Sequence, residues 1–290
     1  MTRTHPLRIG LKLRPERYAI EVQRAIWVVG DQAGFDHIWS YDHLVAVGAD
    51  VTAPIFEGWS LLAAMAERTT RVRIGLLVTG NQYRHPSLLA KMATTIDHLS
   101  TGRLEMGIGA GWNEPEFAML GLRYPSTPER LAQLDEACSV ITSLWTEDRA
   151  SFSGRFYRLE QAIAEPKPVQ KPHPPIWIGG SGPRRTLRVV ARHADVWNAN
   201  GKTLEEDVLA SRLLDQHCAA IGRDPSTVRR SAQLFWKDSD EICRQAEAYA
   251  TAGFSELVLV IHPDRLPVGT DPVAVAEVAA NQALPRLRLI

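Results

Sequence analysis

Residues 75–113, GLLVTGNQYRHPSLLAKMATTIDHLSTGRLEMGIGAGWN, leave this chain few folds to choose from. The segment Val72 to Val78 that leads into it is apolar and β-branched with no polar alternation, the pattern of a strand covered on both faces. Thr79-Gly80-Asn81 breaks that strand. Pro86 stands where a first helical turn begins, and Leu88, Leu89, Met92, Ile96 and Leu99 then recur at helical spacing. Gly102 marks the helix stop. Leu104 to Ile108 predicts a second buried strand, which runs into Gly109-Ala110-Gly111-Trp112. The unit is βαβ, and in parallel α/β folds chemistry gathers at the carboxyl ends of the strands.

The same alternation runs through the whole chain. Strands are predicted at 7–13 and 37–41, with helices at 16–33 and 57–68, before the central unit supplies strands three and four. A helix capped by Ser126 or Thr127 ends near Trp145. Residues 146–174, with four prolines and a hairpin-like piece at 151–159, break the rhythm and read as an insertion within one domain spanning 1–290. Strands at 175–178, 195–200, 230–236 and 255–261 follow, alternating with helices to 193 and at 204–221, 238–251 and 271–284. Eight strand–helix units predict a (β/α)8 TIM barrel. The length of 290 residues and the 45% hydrophobic content suit one such core. A net charge of +0 implies no nucleic-acid or anionic-membrane partner. The opening MTRTHPLRIG has no apolar leader core, and Cys138, Cys218 and Cys243 fit no CxxC pattern, so a cytoplasmic protein with reduced, buried cysteines is expected.

Three stretches are candidates for chemistry. Asp42-His43 follows the second strand, where a histidine takes or gives a proton near neutrality; the alternative is a capped strand end with a satisfied imidazole. Gly109-Ala110-Gly111 suits either close backbone approach to a ligand or a tight turn, and Trp112 breaks any dinucleotide fingerprint. Gly179-Gly180-Ser181-Gly182 precedes a helix whose first turn is read as Pro183, Arg184 and Arg185, an arrangement able to bind phosphate. No HExxH, HxH or carboxylate cluster has metal-ligand spacing, so no metal is expected. Trp39, Trp112, Trp197 and Trp236 fall on or just after predicted strands; packing suits Trp197 and a pocket wall suits Trp112.

Together, GFDHIWSYDHL, RVRIGLLVTGNQYRHPSLLAKMATTIDHLSTGRLEMGIGAGWNEPEF, ERLAQLDEACSVITSLW and PIWIGGSGPRRTLRVVARHADVWN resemble the luciferase-like flavin and deazaflavin oxidoreductases. VTGNQYRHP with GAGWNEPE is most similar to the branch that uses coenzyme F420. The resemblance implies a proton-transfer role for His43, with Asp42 as its ring-contacting neighbour. It implies a non-prolyl cis peptide at Leu77-Val78 behind the ring, and close passage of Gly109 and Gly111 by the cofactor. It implies a phosphate loop at Gly179, Gly180 and Ser181, beside which Arg184 would favour the cofactor's acidic tail. A homodimer is also implied.

The chain departs from the family pattern at two points that matter, one of them Leu44-Val45-Ala46-Val47, which lacks the tryptophan that follows the Asp-His pair in the sugar-phosphate dehydrogenases. Trp112 stands where the sugar-phosphate dehydrogenases carry an acidic glutamate, which argues against a sugar-phosphate substrate. A pocket built from Trp39, Trp112 and Trp236 would suit a more lipophilic one. The expected activity is hydride transfer between the deazaflavin and a small organic substrate. The alternatives are an FMN-dependent two-component monooxygenase served by a separate reductase, and a flavin-binding barrel without turnover.

Overall fold

In the computed structural model, which describes residues 5–48, 50–200 and 203–290, the strands close into a parallel eight-stranded barrel. The first four residues, read above for a leader, lie outside the described residues. The barrel strands are β1 (Arg8–Leu13), β2 (His37–Ser40), β3 (Arg73–Leu76), β4 (Leu104–Gly109), β5 (Ile176–Gly179), β6 (Val196–Asn198), β7 (Arg229–Phe235) and β8 (Glu256–Ile261). β1 pairs with β8 from Arg8↔Glu256 to Leu13↔Ile261, and β3 meets β4 through Ile74↔Leu104 and Gly75↔Glu105. After β3 the chain takes a cis peptide between Leu77 and Val78, then rejoins β4 at Thr79↔Ile108 and Gly80↔Gly109. The bulge crowds its neighbour. A Cβ on Gly107 would strike the backbone oxygen of Leu76, so this strand position accepts only glycine.

Alternation along the strands divides the apolar residues between two cores. Ile9, Leu11 and Leu13 face the surrounding helices, whereas Gly10, Lys12 and Arg14 of the same segment face the barrel axis. The axis is filled in layers. At the amino-terminal end Glu256 binds His37 at 3.1 Å and pairs with Arg8 at 3.4 Å. Above them Trp39 and Trp177 pack edge to face at 4.6 Å, and their indole N–H groups donate to His37 and Glu105, both at 2.6 Å. Lys12, Gln233 and Asn198 form the next, polar layer.

The insertion is an antiparallel hairpin, Ala150–Ser153 with Arg158–Ala162, beside the long helix Thr127–Thr146. That helix buries Cys138, and Cys218 and Cys243 are likewise buried and unpaired. A short helix, Glu114–Met119, follows β4 and escaped the sequence reading. The predicted last helix divides into Pro272–Val278, a π turn at Ala279–Ala283 and Leu284–Leu287. Among the described residues no helix is long and apolar enough to cross a membrane.

Candidate active site

At the carboxyl-terminal mouth, all eight strands or the residues just after them line one cavity of about 490 Å³. Its floor is the Lys12 layer, and one wall is the Leu77-Val78 bulge with the glycine edges of β4 and β5. The bulge rises between those edges. A Cβ on Gly109 would come within 2.8 Å of Val78 Cγ2, and one on Gly179 within 3.3 Å of Val78 Cγ1. Gly180 turns the chain at φ +118°, a conformation other residues rarely adopt.

His43 is held from behind. Its Nδ1 lies 2.7 Å from Glu116 Oε2, which also accepts from the Tyr83 hydroxyl at 2.6 Å. Glu116 Oε1 accepts the backbone N–H of Leu44 and, at 3.0 Å, that of Val45. Burial alone would raise this carboxyl, but the bonds from His43, Tyr83 and Leu44 bring it down to about 2. An ionised Glu116 accepts the Nδ1 proton, which leaves the lone pair of the neutral imidazole on Nε2. The partners of Tyr83 act the other way: burial and Glu116 raise its phenol, so it stays a donor.

Asp42 lies beside His43 on the cavity wall but is buried and engaged by Arg84, whose Nη1 and Nη2 donate to its two oxygens, the latter at 3.1 Å. Arg84 Nη2 also reaches Glu57 at 3.1 Å, and Glu57 caps the helix Gly58–Arg68 through the N–H groups of Trp59 and Ser60. Burial, only partly offset by Arg84, pushes Asp42 up to about 6. The Asp-His pair is therefore set by two separate carboxylate networks.

Several expected site residues fall elsewhere. Trp39 points inward but lies below the cavity, sealed against Trp177, so it is barrel filling and not a pocket wall. Trp236 faces outward into the helix-covered core, because alternation from the inward Gln233 turns Phe235, not Trp236, to the cavity. The helix after β5 begins at Thr186, not at Pro183, so Arg184 is exposed in the preceding turn and outside the cavity lining. Ser181 is not a lining residue either; its Oγ accepts the Asn200 N–H at 2.9 Å and fixes the loop. Gly109, Gly111, Gly179, Gly180, Leu77, Val78 and Trp112 do line the cavity. Trp112 is 63% exposed, its ring edge-on to His43 at 5.6 Å.

Glu116 was not singled out by sequence, although an acidic residue in the first turn of a segment after a barrel strand was available as a signal. Arg130 and Thr127, from the start of the long helix, also line the cavity unforeseen. Arg130 donates to Pro125 O and, at 3.2 Å, to Thr127 Oγ1, and its buried Nε has no partner among the described residues. Among the described residues no group of His, Cys, Asp and Glu could hold a metal ion.

The fold and site define a parallel (β/α)8 barrel whose glycine-edged mouth opens beside a carboxylate-held histidine. The model of the luciferase-like monooxygenase family matches residues 6–255, and the chain belongs to that family. It is 36% identical over 256 residues to an F420-dependent glucose-6-phosphate dehydrogenase of Microbacterium testaceum, covering 85% of this chain and 74% of that protein. It is 28% identical over 247 residues to an FMNH2-dependent dimethylsulfone monooxygenase of Pseudomonas putida, covering 82% and 67%. In structure it is similar to an F420-dependent secondary alcohol dehydrogenase, with a TM-score of 0.85 over 98% of this chain and 99% of that one at 18% identity, which bears on the fold.

Proposed function

We propose that this protein is a coenzyme F420-dependent oxidoreductase acting on a small organic, lipophilic substrate, with His43 as its proton-transfer group. The observation that carries the proposal is the cavity itself: the Leu77-Val78 bulge between two glycine edges, with a Glu116-held imidazole lining the same cavity. The donor set fits an anionic cofactor. Lys12, Arg14 and Arg130 line the cavity, whereas the one lining carboxylate among the described residues, Asp42, is already paired with Arg84.

When bound, the deazaflavin supplies hydride transfer at its carbon 5. The bulge at Leu77-Val78 would support one face of the ring, and the loop that follows Gly180, whose own N–H is donated to Asn198 O at 3.1 Å, would hold its phosphate. His43 would exchange a proton with the substrate through Nε2 while Glu116 keeps Nδ1 protonated. Trp112 and Phe235 supply apolar surface at the mouth, which favours a lipophilic substrate over a sugar phosphate. A homodimer, as in the family pattern, completes the proposal and is checked by sedimentation.

The test is a titration of the protein with coenzyme F420 and, in parallel, FMN, following tryptophan fluorescence. Tighter binding of F420 is expected. Preference for FMN would replace hydride transfer by flavin-dependent monooxygenation, as the Pseudomonas relative is named, and would call for a separate reductase.

A further inference from the structure

The floor of the cavity holds a lysine amine with no acid bonded to it among the described residues. Lys12 rises from β1 just above the Trp39–Trp177 pair and is 6% exposed. Its Nζ donates to the carbonyl of Leu77 at 2.8 Å and to Gln233 Oε1 at 2.9 Å. Both partners are neutral. Gln233 Nε2 donates to Asn198 Oδ1 at 3.0 Å, and Asn198 Nδ2 to Ser231 Oγ at 3.0 Å.

The charged and titratable groups around Lys12 do not complete it. Arg14, next inward on the same side of the chain, is a like charge, and the nearby carboxylate of Glu16 is bonded to Arg14 at 2.6 Å. Tyr41 from the β2 side has its ring centroid 5.7 Å from Nζ and donates its hydroxyl to Glu16. His262, after β8, bonds to Arg14, and burial together with that guanidinium brings it down to about 4, so it is neutral. Burial, then Arg14, pull Lys12 down to about 7, against an upward pull from Glu16. A site needing only to be filled would take an apolar side chain, as Val258 and Val260 do on the neighbouring strand. An ammonium among neutral groups is costly unless a ligand brings the missing charge.

We propose that Lys12 is the counter-charge for the cofactor ring, gripping the negatively charged edge of a flat heterocycle and becoming fully protonated as it binds. The inference rests on the deazaflavin proposal above. The neighbouring amides support it. Gln233 and Asn198 each commit two of their four hydrogen-bonding positions to this chain, and both line the cavity. Lys12, Gln233 and Asn198 thus present donors and acceptors in a row, as the carbonyl and imide groups of a pyrimidinedione edge require. The 8-hydroxyl of the oxidised deazaflavin is acidic, and its conjugate base shares charge with those carbonyl oxygens.

The experiment binds oxidised coenzyme F420 to the wild type, Lys12→Gln and Lys12→Arg. Lys12→Gln keeps a donor for the Leu77 carbonyl and removes the charge. Calorimetry in two buffers of different ionisation heat, at about pH 8, measures proton uptake, and visible absorption reports the ionisation of the bound ring. The wild type takes up most of a proton; Lys12→Gln takes up none and binds about tenfold or more weakly. The ionisation midpoint of the bound ring rises in Lys12→Gln and returns in Lys12→Arg. Wild-type affinity and uptake in Lys12→Gln would overturn this inference alone. Failure of the wild type to bind F420 would overturn the cofactor proposal and this one with it. Should Lys12→Gln not fold, the wild type decides: zero uptake overturns the inference.

Discussion

Glu116 and His43, 73 positions apart in the chain, meet at 2.7 Å behind the cavity, and the same carboxylate oxygen takes the Tyr83 hydroxyl. The contact occupies Nδ1 of the imidazole and leaves Nε2 for another partner. If Nε2 of His43 is the proton-transfer atom, His43→Ala lowers single-turnover hydride transfer about 10²–10⁴-fold. Cofactor affinity changes little, because the bulge and glycine edges are untouched. Rapid-mixing absorbance at the deazaflavin band, set beside a fluorescence titration, separates the two effects.

Glu116→Gln tests the orienting role separately. An amide can donate to Nδ1 as well as accept from it, so the ring loses its preferred tautomer. Turnover is expected to fall about 10–100-fold with KM nearly unchanged. The ¹⁵N shifts of His43, uniform for one tautomer in the wild type, become those of a mixture in the variant. An unchanged spectrum would show that Glu116 does not set the tautomer.

Two glycines in one strand should fail differently. A methyl on Gly107 meets the backbone oxygen of Leu76, which cannot move aside, whereas a methyl on Gly109 meets only the side chain of Val78. Gly107→Ala is expected to lose about 1–3 kcal/mol or more of stability by thermal unfolding. Gly109→Ala should fold with a smaller loss, yet bind cofactor more weakly, because displaced Val78 narrows the ring's seat.

Trp112→Ala removes an exposed side chain from the rim, so stability should stay within about 0.5 kcal/mol of the wild type. If the indole contributes apolar surface to substrate, KM rises for lipophilic substrates and not for small polar ones. A KM series over chain length in one homologous set of alcohols or ketones measures this.

Asp42 and Glu116 make opposite marks on the stability–pH curve. Asp42, raised to about 6 from 3.8, binds a proton in the native state that the unfolded chain has released, so its contribution declines as pH climbs from about 4 to 6. Glu116, lowered to about 2 from 4.5, contributes stability above about pH 4.5 that is lost as pH falls toward 2. In denaturant titrations the stability difference between wild type and Asp42→Asn should change by about 3 kcal/mol across pH 4 to 6 and stay flat above. No such step would place Asp42 near its ordinary range.

The barrel, the Asp42-His43 strand end and the glycine edges were legible because each is a local pattern: period, turn residue or strand terminus. The Leu77-Val78 cis peptide was available only through family resemblance, since neither residue announces it. Glu116 was hidden by distance in the chain; nothing near GWNEPEF says that its second glutamate reaches back to residue 43. Trp39 and Trp236 were misplaced because aromatic content was weighed without strand parity and depth, which assign one to the sealed axis and the other to the helix side. Lys12 carried a readable signal, a cation in LRIGLKL at the parity of Arg8, Gly10 and Arg14, whose meaning depended on a barrel having an inside.

The tryptophan pair and the ionic layer beneath it act as a stopper. Nothing can pass down the axis, so the mouth is both entrance and exit. Were two ligands to stack in such a dead-end vessel, they would have to queue, the one seated deeper arriving first and departing last.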